Sequence, residues 1–155
     1  MPTPADAAAA AWVIDTNIVL DLFVFDAPCA GALRTELQAA RRRWCATAAM
    51  REELARVLRY PAIAAWLTRT GRSAEAVIAQ FDAHATLMDE APAAQPRCSD
   101  PDDQKFIDLA VQQRALLLSR DKAVLRLKKR LAPLGVRVAQ GIAVRIEHVG
   151  GGRVV

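Results

Sequence analysis

Apolar residues along this chain fall into two kinds of run. Short dense runs occur at Trp12-Val13-Ile14, Trp44-Cys45-Ala46-Thr47, Ala115-Leu116-Leu117-Leu118-Ser119 and Val136-Arg137-Val138. Each is too short for a helix and reads as a strand. Between them lie longer stretches with helical spacing. Ile18 to Phe25 is apolar, with Thr16 or Asn17 as the expected N-cap. Residues 28–43 carry Leu33 and Leu37 four apart, and residues 48–58 carry Leu54, Val57 and Leu58 on one face, ended by Tyr60-Pro61. Residues 62–70 and 73–88 read as two more helices split by Gly71, the second starting near Ser73. Residues 89–101 hold Pro92, Pro96 and Pro101 and read as a loop. Further helices are expected from Asp102 or Asp103 to about Arg114, and from Lys122 to Leu131, before a turn at Pro133-Leu134-Gly135.

Strands that alternate with helices predict an α/β fold with a mostly parallel sheet covered on both faces. Such sheets place their ligands at the carboxyl ends of the strands. The chain has 155 residues, enough for one domain. Its expected limits are 12–145, between an Ala-rich N-terminal tail (1–11) and a Gly-rich C-terminal tail (146–155). There is no internal repeat, and no apolar run long enough to span a bilayer.

Composition narrows the chemistry only slightly. Hydrophobic residues make up 53% and charged residues 25%, which supports a packed core. The net charge of +4 permits a polyanionic partner without requiring one. The three cysteines are widely spaced and form no CxxC pair, which argues against a disulfide framework and structural zinc. A reducing, cytoplasmic setting is the simplest expectation.

The acids carry more information. Asp15 directly follows the first strand, and Asp121 follows Ser119 at the end of the third. Both therefore fall at the carboxyl edge of the sheet. Within the helix from residue 48, Glu53 lies at the edge of the Leu54-Val57-Leu58 stripe, while Glu52 points away from it. Asp103 heads a stripe completed by Phe106, Ile107 and Ala110, whereas Asp100 and Asp102 read as caps or loop acids. Carboxylates converging on one cleft repel each other and resist ionisation. A divalent cation such as Mg²⁺ or Mn²⁺ resolves that conflict and suits phosphodiester hydrolysis. No His, Cys or Ser constellation competes for the chemistry.

These segments resemble a PIN domain, in particular the bacterial PIN proteins regarded as toxins of toxin–antitoxin pairs. The resemblance runs through Val13-Ile14-Asp15-Thr16-Asn17-Ile18-Val19-Leu20, Glu53-Leu54-Ala55-Arg56-Val57-Leu58, Asp100-Pro101-Asp102-Asp103-Gln104-Lys105-Phe106 and Leu118-Ser119-Arg120-Asp121-Lys122. It covers roughly residues 12–140. It implies a Rossmann-like three-layer α/β/α sandwich and an endoribonuclease dependent on Mg²⁺ or Mn²⁺. It also implies Asp15, Glu53, Asp103 and Asp121 as catalytic, metal-binding acids. Asn17, with Thr16 in the same turn, would support the first acid, and Ser119 the last. Arg120 stands where that family commonly has Gly; it could reach a phosphate or pair with Asp121. The resemblance further implies an RNA substrate, a protein antitoxin and a homodimer, with Trp66 on the 62–88 helices as a candidate interface anchor.

Other residues read as background. Asp21 and Asp26 are expected to be solvated. His84 and His148 lie far from the acidic motifs, and Cys45 is expected in the core. Arg41-Arg42-Arg43 and Lys128-Lys129-Arg130 are expected at helix ends, where cations suit the dipole; either run could instead steer RNA phosphates, and for the second the two readings stand level. A non-catalytic PIN-like module that binds RNA or protein is the competing reading. A phosphotransfer receiver or a dehalogenase-like phosphatase fits less well, because each leaves Glu53 and Asp103 unexplained.

Overall fold

The computed structural model describes residues 11–39 and 42–142. Five strands form one sheet: β1 (Ala11–Ile14), β2 (Arg43–Thr47), β3 (Ala85–Met88), β4 (Leu116–Leu118) and β5 (Arg137–Ala139). Their order is β3-β2-β1-β4-β5, and every pairing is parallel. Parallel neighbours need crossovers, and the helices supply them. These are α1 (Thr16–Phe23), α2 (Gly31–Gln38), α3 (Ala48–Val57), α4 (Pro61–Arg69), α5 (Ala74–His84), α6 (Gln104–Gln113), α7 (Lys122–Leu125) and α8 (Lys128–Leu131). The result is the three-layer α/β/α sandwich that the strand–helix alternation predicts. None of the described helices is by itself long and apolar enough to cross a membrane.

The central strands are dry. All four residues of β1 and all three of β4 are buried, which is why both read as unbroken apolar runs rather than alternating ones. Trp44 of β2 anchors the core beneath α1 and α5. Its ring meets Phe81 edge-on at 5.0 Å and stacks with Phe23 at 6.1 Å. Cys45 is fully buried, as the strand pattern predicts. All three cysteines are free thiols.

Several local expectations are corrected. The stretch read as one helix over 73–88 ends at His84, and Ala85–Met88 becomes the edge strand β3, paired with β2 from Trp44↔Ala85 to Thr47↔Met88. The helix expected over 28–43 begins as a 3₁₀ turn at Pro28–Ala30 and stops at Gln38. Arg43 therefore belongs to β2 and caps no helix. Arg42 lies over the Trp12 ring at 5.6 Å and pairs with Glu36 at 3.6 Å, while Arg41 lies outside the described residues. The helix expected over 122–131 is two single turns, α7 and α8. Strand β1 takes in Ala11, which the pattern left to the N-terminal tail. The rest of that tail, the C-terminal tail and His148 lie outside the described residues.

Ser73 starts α5 as expected, its Oγ accepting from the Ala76 amide at 3.1 Å. The turn before β5 depends on Gly135, which has φ +85° and would bring an added Cβ within 3.3 Å of the Arg114 side chain. Gly135→Ala is expected to cost about 1–2 kcal/mol, because L-residues resist the left-handed region. Urea midpoints of the two proteins check it.

Candidate active site

With the order β3-β2-β1-β4-β5, the chain winds away from β1 in both directions. The switch point lies between β1 and β4, where connections leave on opposite sides and open a crevice at the carboxyl edge. Asp15 follows β1 and Ser119-Arg120-Asp121 follow β4, so both flank that crevice. The Asp15 amide continues the ladder by donating to the Leu118 carbonyl at 2.8 Å.

Asp15 occupies the N-cap position of α1 but makes no side-chain cap bond there. The expected caps, Thr16 and Asn17, do not cap it either. The Thr16 hydroxyl donates to Glu53 Oε2, and Asn17 Oδ1 accepts from the Arg120 amide at 3.2 Å. The Asp15 carboxylate is therefore free to face the crevice, held by Ser119 Oγ, which donates to Oδ2 at 2.6 Å. Ser119 is fully buried and also accepts from the Asp121 amide at 3.0 Å. One hydroxyl thus fixes the acid of β1 and the turn carrying the acid of β4.

Ser119→Ala removes both bonds and leaves the buried Asp15 carboxylate without its Ser119 donor. It is expected to cost about 1–3 kcal/mol of stability, read from denaturant midpoints.

The sequence DPDD around residue 100 folds back on itself. Pro101–Asp103 is a 3₁₀ turn, capped by Asp100 Oδ1 accepting from the Asp102 amide at 3.0 Å. That turn lifts Asp103 into the head of α6, where the side-chain stripe of Phe106, Ile107 and Ala110 carries it inward. Asp103 is 7% exposed, and its Oδ2 is buried with no hydrogen-bond partner among the described residues. Ligand oxygens of Asp100, Asp103 and Asp121 all lie within 4.8 Å of one another. Asp102, as expected, is exposed.

This crowding has an electrostatic signature. Burial pushes the Asp103 carboxyl up to about 8, with further upward pressure from Asp121, Asp15 and Asp100. Burial likewise raises Asp15 to about 6, opposed by the Ser119 hydrogen bond and reinforced by Glu53 and Asp121. Two raised carboxyls in one cleft, both pressed upward by Asp121, mark a cluster of converging charge. Oxygen donors of this kind suit a hard divalent cation, and the unpaired buried Oδ2 of Asp103 is a lone pair that such a cation would satisfy.

Glu53 sits one step outside the three-oxygen group. It leans into the cleft from α3, as its place at the edge of the stripe predicts, while Glu52 is exposed. Both Glu53 oxygens are engaged, one by Thr16 and the other by the Lys105 ammonium, which also donates to the Asp102 carbonyl. Lys105 stands in the Asp100–Phe106 motif, but the helical pattern gives it no role, since it lies about 200° around the helix from Asp103. Its long stem brings the charge back across the turn.

The PIN-domain family model matches residues 11–123. The chain belongs to the PIN-domain family. PIN domains are typically nucleases, and they usually use divalent metals. No curated protein matches the chain. Asp15, Glu53, Asp103 and Asp121 all fall within the matched range, and in this PIN domain Glu53 and Asp121 lie close enough to Asp15, and Asp15 and Asp121 to Asp103, to raise their carboxyls.

Two residues set aside in the sequence enter the picture. Asp100 was read as a cap or loop acid; it is a cap, and it is also part of the three-oxygen group. Asp21 was read as solvated, but it is buried and pairs with Arg120 at 2.9 and 3.1 Å. Arg120 therefore pairs with Asp21 and leaves the Asp121 carboxylate alone. Asp121 Oδ1 accepts instead from the Ala123 amide at 2.9 Å. Asp26 is exposed as expected, bridged to Arg34 and Arg72.

Proposed function

We propose that this PIN domain is an endoribonuclease that hydrolyses RNA phosphodiester bonds with a divalent cation, Mg²⁺ or Mn²⁺, as cofactor. The observation that carries the reading is the buried, unpaired Asp103 Oδ2 within 4.8 Å of ligand oxygens from Asp121 and Asp100. A buried carboxylate oxygen without a partner destabilises the fold, and a carboxylate set of this kind has the right chemistry for a cation.

Asp103, Asp121 and Asp100 would supply oxygen ligands. Asp15, oriented by Ser119, would complete the set from the β1 side. Glu53 flanks Asp15 and is held in place by Thr16 and Lys105, so that Lys105 offsets one of the converging charges. When bound, the cation supplies activation of a water nucleophile and charge stabilisation of the leaving oxygen. The protein contributes rigid placement. Asp15 follows a strand, Asp100, Asp103 and Asp121 sit at helix starts, Glu53 lies within α3, and the central strands beneath are fully buried.

Incubation of the purified protein with a mixed RNA pool and Mg²⁺ or Mn²⁺ tests this. Cleavage is expected that stops in EDTA and in folded Asp15→Asn. Metal-independent cleavage, or cleavage undiminished in that variant, would remove the reading. No cleavage together with RNA binding would favour a non-catalytic RNA-binding module.

The same proposal extends to a toxin with a protein antitoxin and a homodimeric state, on the likeness of its motifs to bacterial PIN toxins. Trp66 on α4 is half-buried, its indole N–H donating to the Val24 carbonyl at 3.2 Å, so part of its ring remains open to a partner. Induced expression in a bacterial host is expected to arrest growth, and Asp15→Asn expression is not. Equal growth of the two strains would count against the toxin role.

A further inference from the structure

Arg120 is the one strongly basic side chain inserted between two site residues, Ser119 and Asp121. An arginine beside a cluster of carboxylates would be expected to collapse onto them. It does not, because α1 holds it elsewhere. Asn17 and Asp21 lie four apart on α1, hence on one face. Asn17 takes both backbone and side chain of Arg120, its Oδ1 accepting from the amide at 3.2 Å and its main-chain carbonyl accepting from Nη2 at 3.4 Å. Asp21 takes the side chain, with Nε donating to Oδ2 at 2.9 Å and Nη2 to Oδ1 at 3.1 Å. The Asp21 side chain is 10% exposed and that of Arg120 is 45% exposed.

A guanidinium has five N–H donors in a fixed plane. The Nε hydrogen and both Nη2 hydrogens are used by Asp21 and Asn17. The two on Nη1 have no partner among the described residues. The guanidinium is thus clamped along one edge on a side chain that is 45% exposed, and it belongs to the residue between Ser119 and Asp121. A buried acid spent on orienting a half-exposed arginine is an arrangement with a direction.

We infer that Arg120 binds a phosphate of the substrate strand through its free Nη1 edge, with Asp21 and Asn17 as the residues that position it. This deepens the ribonuclease reading and rests on it. The chemistry fits: guanidinium is the side chain suited to phosphate oxygens, and preorientation lowers the entropy lost on contact. The pairing also removes a conflict. Asp21 balances the arginine's charge, so Arg120 can approach a phosphodiester without neutralising the carboxylates needed beside it.

The test is binding of a short fluorescein-labelled single-stranded RNA, followed by anisotropy over a salt series with Ca²⁺ in place of Mg²⁺. Three variants are compared with wild type. Arg120→Ala removes the contact but leaves Asp21 buried and unpaired. The double variant Asp21→Asn with Arg120→Gln keeps a neutral hydrogen-bonded pair and removes only the charge. Arg120→Lys keeps charge without the fork.

Arg120→Ala and the double variant are expected to weaken binding about tenfold, as for loss of a charged hydrogen bond. Both should also lower the slope of log affinity against log salt by about 0.7, the value for one phosphate contact on a single strand. Arg120→Lys is expected to keep the slope and lose part of the affinity. If wild type binds and the double variant binds as tightly with the same slope, Arg120 is structural only and the inference falls while the ribonuclease reading stands. If wild type binds no RNA under any of these conditions, both fall.

Discussion

Metal-free protein is expected to lose stability as pH rises from about 4 to 8, and saturating Mn²⁺ is expected to abolish that loss. The sign follows from the raised carboxyls. In the unfolded chain Asp15 titrates at its ordinary value of 3.8, and in the fold at about 6. The folded state therefore binds the proton more tightly. Its contribution is fully present below about pH 4 and is lost as pH climbs through 6. Asp103, raised to about 8, extends the same trend to higher pH. The Asp15 shift alone corresponds to about 3 kcal/mol at 1.36 kcal/mol per unit, or roughly 10 °C in Tm for a domain of this size. Asp82, lowered by its hydrogen bonds to Arg51, works in the opposite sense and only at the acidic end, where its stabilisation fades as pH falls. Thermal melts from pH 4 to 9, in EDTA and in Mn²⁺, measure the effect. A flat profile in EDTA would show that the acids do not crowd as described.

Asp103→Asn is expected to raise the Tm of metal-free protein above pH 8 while lowering RNA cleavage more than a hundredfold. The amide keeps the shape of the side chain. It carries no charge to desolvate, and it can donate to the neighbouring Asp121 carboxylate, the group now pressing Asp103 upward. Stability should therefore rise just where ionisation costs most. Loss of residues that merely orient a metal ligand costs about 10–100-fold in affinity or activity, so loss of a ligand should exceed that range. Glu52→Gln is the matched control: Glu52 is exposed on the far side of α3 and should change neither quantity. A variant that is less stable at high pH, or as active as wild type, would contradict the role given to Asp103.

Much of this site was legible before the fold was known, for physical reasons. Asp15 directly follows a buried apolar run and Asp121 lies three residues beyond another, and polar residues just past a dry parallel strand fall at the edge where the crevice opens. Asp103 announces itself as the head of the Phe106-Ile107-Ala110 stripe. The sheet's edge strand was hidden because Ala85-Thr86-Leu87-Met88 continues the composition of the helix before it, and only pairing with β2 decides its state. Asp100 was hidden by Pro101, which separates it from the helix in sequence while the 3₁₀ turn folds it back beside Asp103 and Asp121. Asp21 and Arg120 lie 99 residues apart, and no local pattern links a helix acid to a turn arginine at that separation. Thr16 and Asn17 have the composition of caps, yet tertiary partners, Glu53 and Arg120, claim their side chains.

Asp15, Asp100, Asp103 and Asp121 are proposed to form one cation site. Calorimetric titration of Mn²⁺ at pH 7, run in two buffers of different ionisation enthalpy, tests it most directly. Wild type is expected to bind Mn²⁺ with release of protons, since Asp103 must give up the one it holds at that pH, and Asp103→Asn is expected to lose the binding. Binding without proton release, or with equal affinity in Asp103→Asn, would place the cation elsewhere and contradict the account.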